Sequence, residues 1–185
     1  MAKRKGQRQA ALLRGVNVGR ANRVAMADLK ALVEDLGMQD PRTLLNSGNV
    51  VFTSPTAAPR DSAARIEKAL RDTLGVTCRV VVLSAEEVAD VIARNPLLSK
   101  ADDPSRLLVA VLSETADRGR LAELEKRDWG RDALAVGPRA AYLWCAGGVI
   151  DSALNTAVNR SLGSEVTSRN WATMLKLQEM LAAES

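Results

Sequence analysis

The chain has 185 residues, 46% apolar, 26% charged and 3% aromatic, with a formal net charge of +4 and no histidine. That length lies between one domain and two small ones and supports a buried core without staples. The missing imidazole excludes Ser-His-Asp and Cys-His catalysis and histidine-ligated zinc.

In chain order, Gln9 to Arg14 reads as a buried strand that runs into a glycine-rich, arginine-flanked loop, Gly15 to Arg20. Met26 to Leu36 predicts a helix, because Leu29, Leu32, Val33 and Leu36 recur at helical spacing. Asp28 suits its dipole and Gly37 its C-terminal end. Arg42 to Asn46 and Asn49 to Thr53 predict two strands joined by the two-residue turn Ser47-Gly48. After the loop Ser54 to Pro59, Asp61 or Ser62 is expected to cap a helix with Ile66, Ala69, Leu70 and Leu74 inward and Gly75 closing it. Cys78 to Leu83 predicts the fourth strand.

Ser84-Ala85-Glu86-Glu87 has the spacing of a capping box and opens a helix that Asn95-Pro96 ends. A polar linker over 97–105 leads to a strand over Leu107 to Leu112, and Leu121 and Leu124 mark a helix over 116–127. Ala133 to Val136 and Ala140 to Cys145 flank Gly137-Pro138 as a hairpin. Ile150, Leu154, Val158 and Leu162 predict a helix stopped by Gly163. Thr167 or Ser168 is expected to cap a last helix, with Arg169 in its first turn and Trp171, Met174, Leu175 and Leu181 inward.

These elements give an α+β fold. A ferredoxin-like βαββαβ N-terminal half, 1–84, is followed by a second α/β half, 85–185, with partly similar βαββα order and a C-terminal helix. The two halves are expected to pack as one compact unit. No sequence repeat at fixed spacing accompanies the echo.

The charge is unevenly spread. Lys3, Arg4, Lys5, Arg8, Arg14, Arg20 and Arg23 precede the first acid, Asp28, and the rest of the chain is net negative. Lys3 to Arg8 reads as a solvated tail, whereas the three later arginines flank the glycine loop and can steer an anion. No run of about 18 apolar residues exists, so no membrane-spanning helix and no membrane partner is expected. The apolar run Ala10 to Leu13 is too short for an export signal. Cys78 and Cys145 lack metal-ligand spacing and read as buried thiols of a cytoplasmic protein.

No phosphate-loop, dinucleotide-binding or nucleophile-elbow motif is present. No metal site is indicated, and no cofactor or catalytic residue is assigned. Asp28 and Lys30 are weak acid–base candidates that could as easily be solvated, so both an enzyme and a binding module stay open. In a split βαβ unit the first strand ends beside the turn between the second and third. Arg14 to Arg20 and Asn46 to Asn49 should therefore be neighbours. Together they form a candidate small-anion site of Arg14, Gly15, Asn17, Gly19, Asn22, Ser47 and Asn49, joined by Arg169 and Asn170. Arg14 carries the guanidinium fork. The alternatives are nucleic-acid binding through the basic N-terminal region, for which stacking aromatics are scarce, and a protein-interaction scaffold.

Leu12-Leu13-Arg14-Gly15-Val16-Asn17-Val18-Gly19, Asn22, Met26, Leu29, Leu36-Gly37, Thr43, Ser47-Gly48-Asn49-Val50-Val51-Phe52, and Thr167 with Arg169-Asn170-Trp171 and Thr173 resemble the bacterial family called domain of unknown function 1697. The resemblance covers nearly the whole chain. It implies a cytoplasmic α+β protein with a ferredoxin-like first half, and it supplies no activity. The chain departs from the family at Arg20, where a second glycine is usual, and at Asn46, where glutamine is usual. Its first strand also lacks the aromatic residue often found there.

Overall fold

The computed structural model describes residues 6–55, 58–113 and 116–183. The expected basic tail residues Lys3, Arg4 and Lys5, and Thr56 and Ala57 of the expected loop, lie outside them. The chain divides into two units, one of residues 1–88 and 177–185, the other of residues 89–176.

In the first unit, β1 (Gln7–Leu13) is followed by α1 (Met26–Asp35), β2 (Gln39–Leu44), β3 (Asn49–Ser54), α2 (Pro59–Leu74) and β4 (Val80–Ser84). The strands pair in the order β2-β3-β1-β4. β3 is antiparallel to both β1 and β2, and β1 is antiparallel to β4. This is the ferredoxin-like arrangement, with β1 and β2 parallel and β3 between them. Leu29, Leu32 and Val33 of α1 and Ile66 and Leu70 of α2 pack with Ala11, Leu13, Val50, Phe52, Val80 and Val82 of the sheet. Ala10, Leu12, Val51, Val81 and Leu83 are buried as well. The central strands therefore read as continuous apolar runs and not as alternating ones.

Two local expectations change here. The β2–β3 connection has four residues, Leu45 to Gly48, because Leu44 pairs directly with Asn49. The helix α2 opens at Ala58 with Pro59 in its first turn, and Ala58 makes no side-chain cap. Proline suits that place because its missing N–H would have had no helical partner. Ser62 is then a buried helical residue and not a cap. Arg8 is also no tail residue. It lies in β1, and its guanidinium donates to the carbonyls of Ala183 and, at 2.7 Å, Met180. Arg42 of β2 donates to the same Met180 carbonyl at 2.8 Å. Two cations thus satisfy carbonyls at a helix C-terminus, where the dipole favours them.

α3 (Ala85–Ala93) follows β4 directly. Its capping box is formed reciprocally: Glu87 N–H donates to Ser84 Oγ at 3.1 Å, and Ser84 N–H donates to Glu87 Oε2 at 2.8 Å.

The second unit contains β5 (Leu107–Leu112), a short 3-10 turn (Arg118–Leu121) with α4 (Ala122–Lys126), β6 (Ala133–Val136), β7 (Ala140–Trp144), α5 (Ala153–Leu162) and β8 (Val166–Asn170), and α6 (Trp171–Ala182) starts from β8. Its strand order, β6-β7-β5-β8, repeats that of the first unit. The order is therefore βαββαβ, one strand longer than the sequence predicts. Its core joins Leu108, Ala110, Leu112, Leu143, Leu154, Val158, Leu162 and Val166. Tyr142 is buried, its hydroxyl donates to the Val91 carbonyl at 2.6 Å, and burial pushes its pKa up to about 12.

The added strand, β8, corrects the expectation of Thr167 and Ser168 as caps. Val166 to Asn170 pair with β5, from Leu112↔Val166 to Leu108↔Asn170. The real cap is Asn170, whose Oδ1 accepts the Thr173 N–H at 2.9 Å. Trp171, Met174 and Leu181 are buried as expected, whereas Leu175 is 37% exposed and Leu177 is buried in its stead. Ile150 lies before α5 and is 95% exposed, because Ser152 caps that helix.

Both cysteines are free thiols. Burial, helped by the Glu67 carboxylate, pushes Cys78 up to about 11, and burial raises Cys145. Asn170→Ala should lower stability by about 1 kcal/mol in chemical denaturation, the usual cost of a lost N-cap. Cys78 should resist iodoacetamide at pH 8 in the folded protein. A thiol raised in the folded state stabilises it below the unfolded value near 9, so this contribution should disappear between about pH 9 and 11. Melting temperature against pH, compared with Cys78→Ala, reads that difference.

Candidate functional site

Two backbone bonds set where the loop after β1 begins. Leu13 N–H donates to the Gly48 carbonyl at 2.8 Å, and Arg14 N–H donates to the Arg79 carbonyl at 2.9 Å. The loop therefore leaves the sheet between the β2–β3 turn and the segment entering β4. Four of its residues are left-handed: Gly15 (φ 65°), Asn17 (57°), Gly19 (65°) and Asn22 (50°). Glycine and asparagine are the residues that reach this region at least cost. A Cβ at Gly15 or Gly19 would meet nothing within 4 Å, so the backbone angle and not crowding calls for glycine there.

Asn17 organises this loop. Its N–H donates to the Asn22 carbonyl at 3.0 Å. Its side-chain Oδ1 accepts the Val24 N–H at 2.9 Å, and Nδ2 donates to the Val24 and Asn46 carbonyls, each at 2.8 Å. The amide thus imitates a strand partner for Val24 and ties the loop to the β2–β3 turn. Asn49 does similar work inside that turn. It is fully buried, and its Nδ2 donates to the Leu44 carbonyl at 2.8 Å and to Ser47 Oγ at 2.9 Å. Two of the asparagines expected to face a ligand are therefore engaged with the protein's own loops.

Between the two loops lies an open cavity of about 430 Å³, lined by Asn17, Arg23, Val24, Ala25, Met26 and Asn46. No carboxylate is part of this lining. Arg23, Asn22 and Ser47 are exposed, and Arg14 is partly buried. Arg23 makes no hydrogen bond or ion pair among the described residues. Ala25 offers no side-chain cap to α1, so the first-turn N–H groups of that helix are uncapped by a side chain at the cavity. Asp28 is exposed in the same turn and outside the lining. Among the described residues no group of three or more potential metal ligands occurs. Of the site residues expected from sequence, Asn17 alone lines this cavity; Arg14, Gly15, Gly19, Asn22, Ser47 and Asn49 build the surrounding loops. Arg23 and Asn46 emerge as lining residues, and in sequence they are only a flanking arginine and a turn asparagine.

Arg169 and Asn170 belong to the second unit. Arg169 is 8% exposed on β8, not in the first turn of the last helix. Its Nη1 donates to Thr167 Oγ1 at 3.0 Å and to the Ser168 carbonyl at 2.8 Å. Burial pushes its pKa down to about 10, so it is still a cation at neutral pH. Asn170 is occupied with its capping bond.

Gly48 is the residue on which the loop pair turns. Its φ is +80°, and a Cβ there would lie 2.5 Å from Val16 Cγ2 and 2.8 Å from Leu13 Cβ. Gly48→Ala should cost at least about 1–3 kcal/mol of stability from the backbone strain alone, with further loss from the clash. Gly15→Ala, with open space around it, should cost less. Urea denaturation of the two variants checks the order.

The family model described as protein of unknown function (DUF1697) matches residues 7–142. The match contains both loops of the first unit and stops before Thr167 to Trp171. No curated protein matches the chain. Its fold is similar to the solved structure of the conserved bacterial protein SP0830 from Streptococcus pneumoniae, with a TM-score of 0.78 at 24% identity over 95% of this chain and 98% of that chain. At that identity the likeness speaks for the fold alone. The loop pair that forms the cavity thus lies within the matched segment, and the chain belongs to the DUF1697 family.

Proposed function

We propose that the loop edge of the first unit binds a small anion: a nucleotide, phosphate or carboxylate. The observation that carries this reading is the cavity between the loops, which has a guanidinium and no carboxylate in its wall. Its volume of about 430 Å³ falls within the usual size of small-ligand sites. Arg23 is an exposed fork suited to two anionic oxygens. Asn46 supplies an exposed amide beside it, and the first turn of α1 adds a favourable dipole. Arg14, Gly15, Gly19 and Asn22 shape the loop, and Arg14 and Arg20 add to the positive field that brings an anion in. Arg169 and Asn170 are not needed for this site.

Thermal shifts with inorganic phosphate, adenosine monophosphate, citrate and a short single-stranded oligonucleotide, at low and high salt, test the proposal. A ligand at 100 times its Kd should stabilise the fold by about 2.7 kcal/mol. Arg23→Ala should abolish the shift while changing the unliganded stability by less than about 0.5 kcal/mol, because the side chain is exposed. Arg14→Ala should weaken binding less than Arg23→Ala. A shift that survives Arg23→Ala defeats the proposal. A shift with the oligonucleotide alone, lost steeply with salt, instead supports nucleic-acid binding.

A further inference from the structure

The cavity wall is mixed in a way that narrows the ligand. Three of its lining residues, Val24, Ala25 and Met26, are apolar, and Arg23 is its sole cation. Val18 and Leu45 each adjoin a lining asparagine in the chain, and they stand 71% and 61% exposed. Among the described residues of the first unit, no other large hydrophobic side chain is so exposed. Large apolar groups held in water beside a cavity gain free energy when a ligand covers them. Asn17 contributes a wall and little else, since both amide hydrogens already donate to backbone carbonyls. Asp28, exposed in the first turn of α1 and outside the lining, disfavours a second negative charge.

We infer that the ligand is an organic monoanion with an apolar body, a carboxylic acid in which Arg23 holds the carboxylate and Ala25 and Met26 of the lining, with the exposed loop residues Val18 and Leu45, cover the hydrocarbon. This rests on the anion-site reading above and makes it specific. A single guanidinium matches one carboxylate edge to edge. A polyphosphate would need further cations in the wall, and inorganic phosphate would leave the apolar lining uncovered.

The test uses the full chain and the series acetate, butyrate, hexanoate and 3-phenylpropionate, with hexanamide, inorganic phosphate and ATP as comparisons. Affinity should rise along the aliphatic acids by up to roughly fourfold for each methylene buried. Phosphate and ATP should bind no more tightly than acetate. Arg23→Gln should reduce hexanoate to the level of hexanamide, and hexanoate should shift the methyl resonances of Met26 and Val24. Tighter binding of phosphate or ATP than of hexanoate overturns this inference and leaves the anion site standing. Undiminished hexanoate binding by Arg23→Gln, or no binding of any anion, overturns both.

Discussion

The pairing of β1 with β3 on one side and β4 on the other is the constraint on which the first unit depends. β1 has no free edge, its residues Ala10 to Leu13 are wholly buried, and its end is held by the two bonds to the carbonyls of Gly48 and Arg79. Once these bonds exist, the chain after Arg14 can leave only at one edge of the sheet, beside the β2–β3 turn. The positions of the glycine loop, of the Asn17 amide and of the cavity follow from that exit. Gly48 is where the constraint is tightest, because the strand end packs against the place its side chain would occupy.

The second unit repeats the scaffold and changes its chemistry. Leu112 N–H donates to the Arg139 carbonyl and Ser113 N–H to the Glu165 carbonyl, each at 2.9 Å, as Leu13 and Arg14 do to Gly48 and Arg79. The two sheets have one strand order, and in both units the helix that leaves the last strand is capped by a side chain at the strand's final residue, Ser84 or Asn170. At the end of β5, however, the Ser113 hydroxyl donates to the Glu165 carboxylate. The corresponding place in the first unit is Arg14, leading into an acid-free, glycine-rich loop. Backbone pairing has been kept where side-chain identity has not, which is why the two halves share a topology without a repeat visible in the sequence.

Polar residues at a loop edge are not equivalent. Asn17 and Asn49 look like ligand donors by type, yet a loop that turns away from a sheet leaves backbone groups that need partners. An amide offers both a donor and an acceptor, so it is well suited to fill that gap. What is left facing the cavity is the exposed guanidinium of Arg23, the Asn46 amide and a short apolar wall. The chemistry proposed for the site follows from this remainder.

Periodicity and turn chemistry make much of this protein legible in its sequence. The helical spacing of Leu29, Leu32 and Val33, the capping box Ser84–Glu87 and the apolar strands around Ala10, Val50 and Val81 are local signals, and each element forms where it points. The approach of the two loops also follows, because a split βαβ unit permits only one geometry. Local signals fail where a distant partner decides the outcome. Thr167 and Ser168 carry the hydroxyls of helix caps, but the open edge of β5 draws them into β8 and passes the cap to Asn170. The sequence puts Arg23 beside the glycine loop and Asn46 beside the turn, but whether either lines a cavity depends on where two loops 29 positions apart meet, as they do through the bond from Asn17 to Asn46. The sequence by itself determined which segments are helix or strand and which edge carries positive charge. Only the tertiary structure decided which polar groups are bonded to the protein and which stay exposed at the loop edge, because that depends on backbone partners brought together from afar.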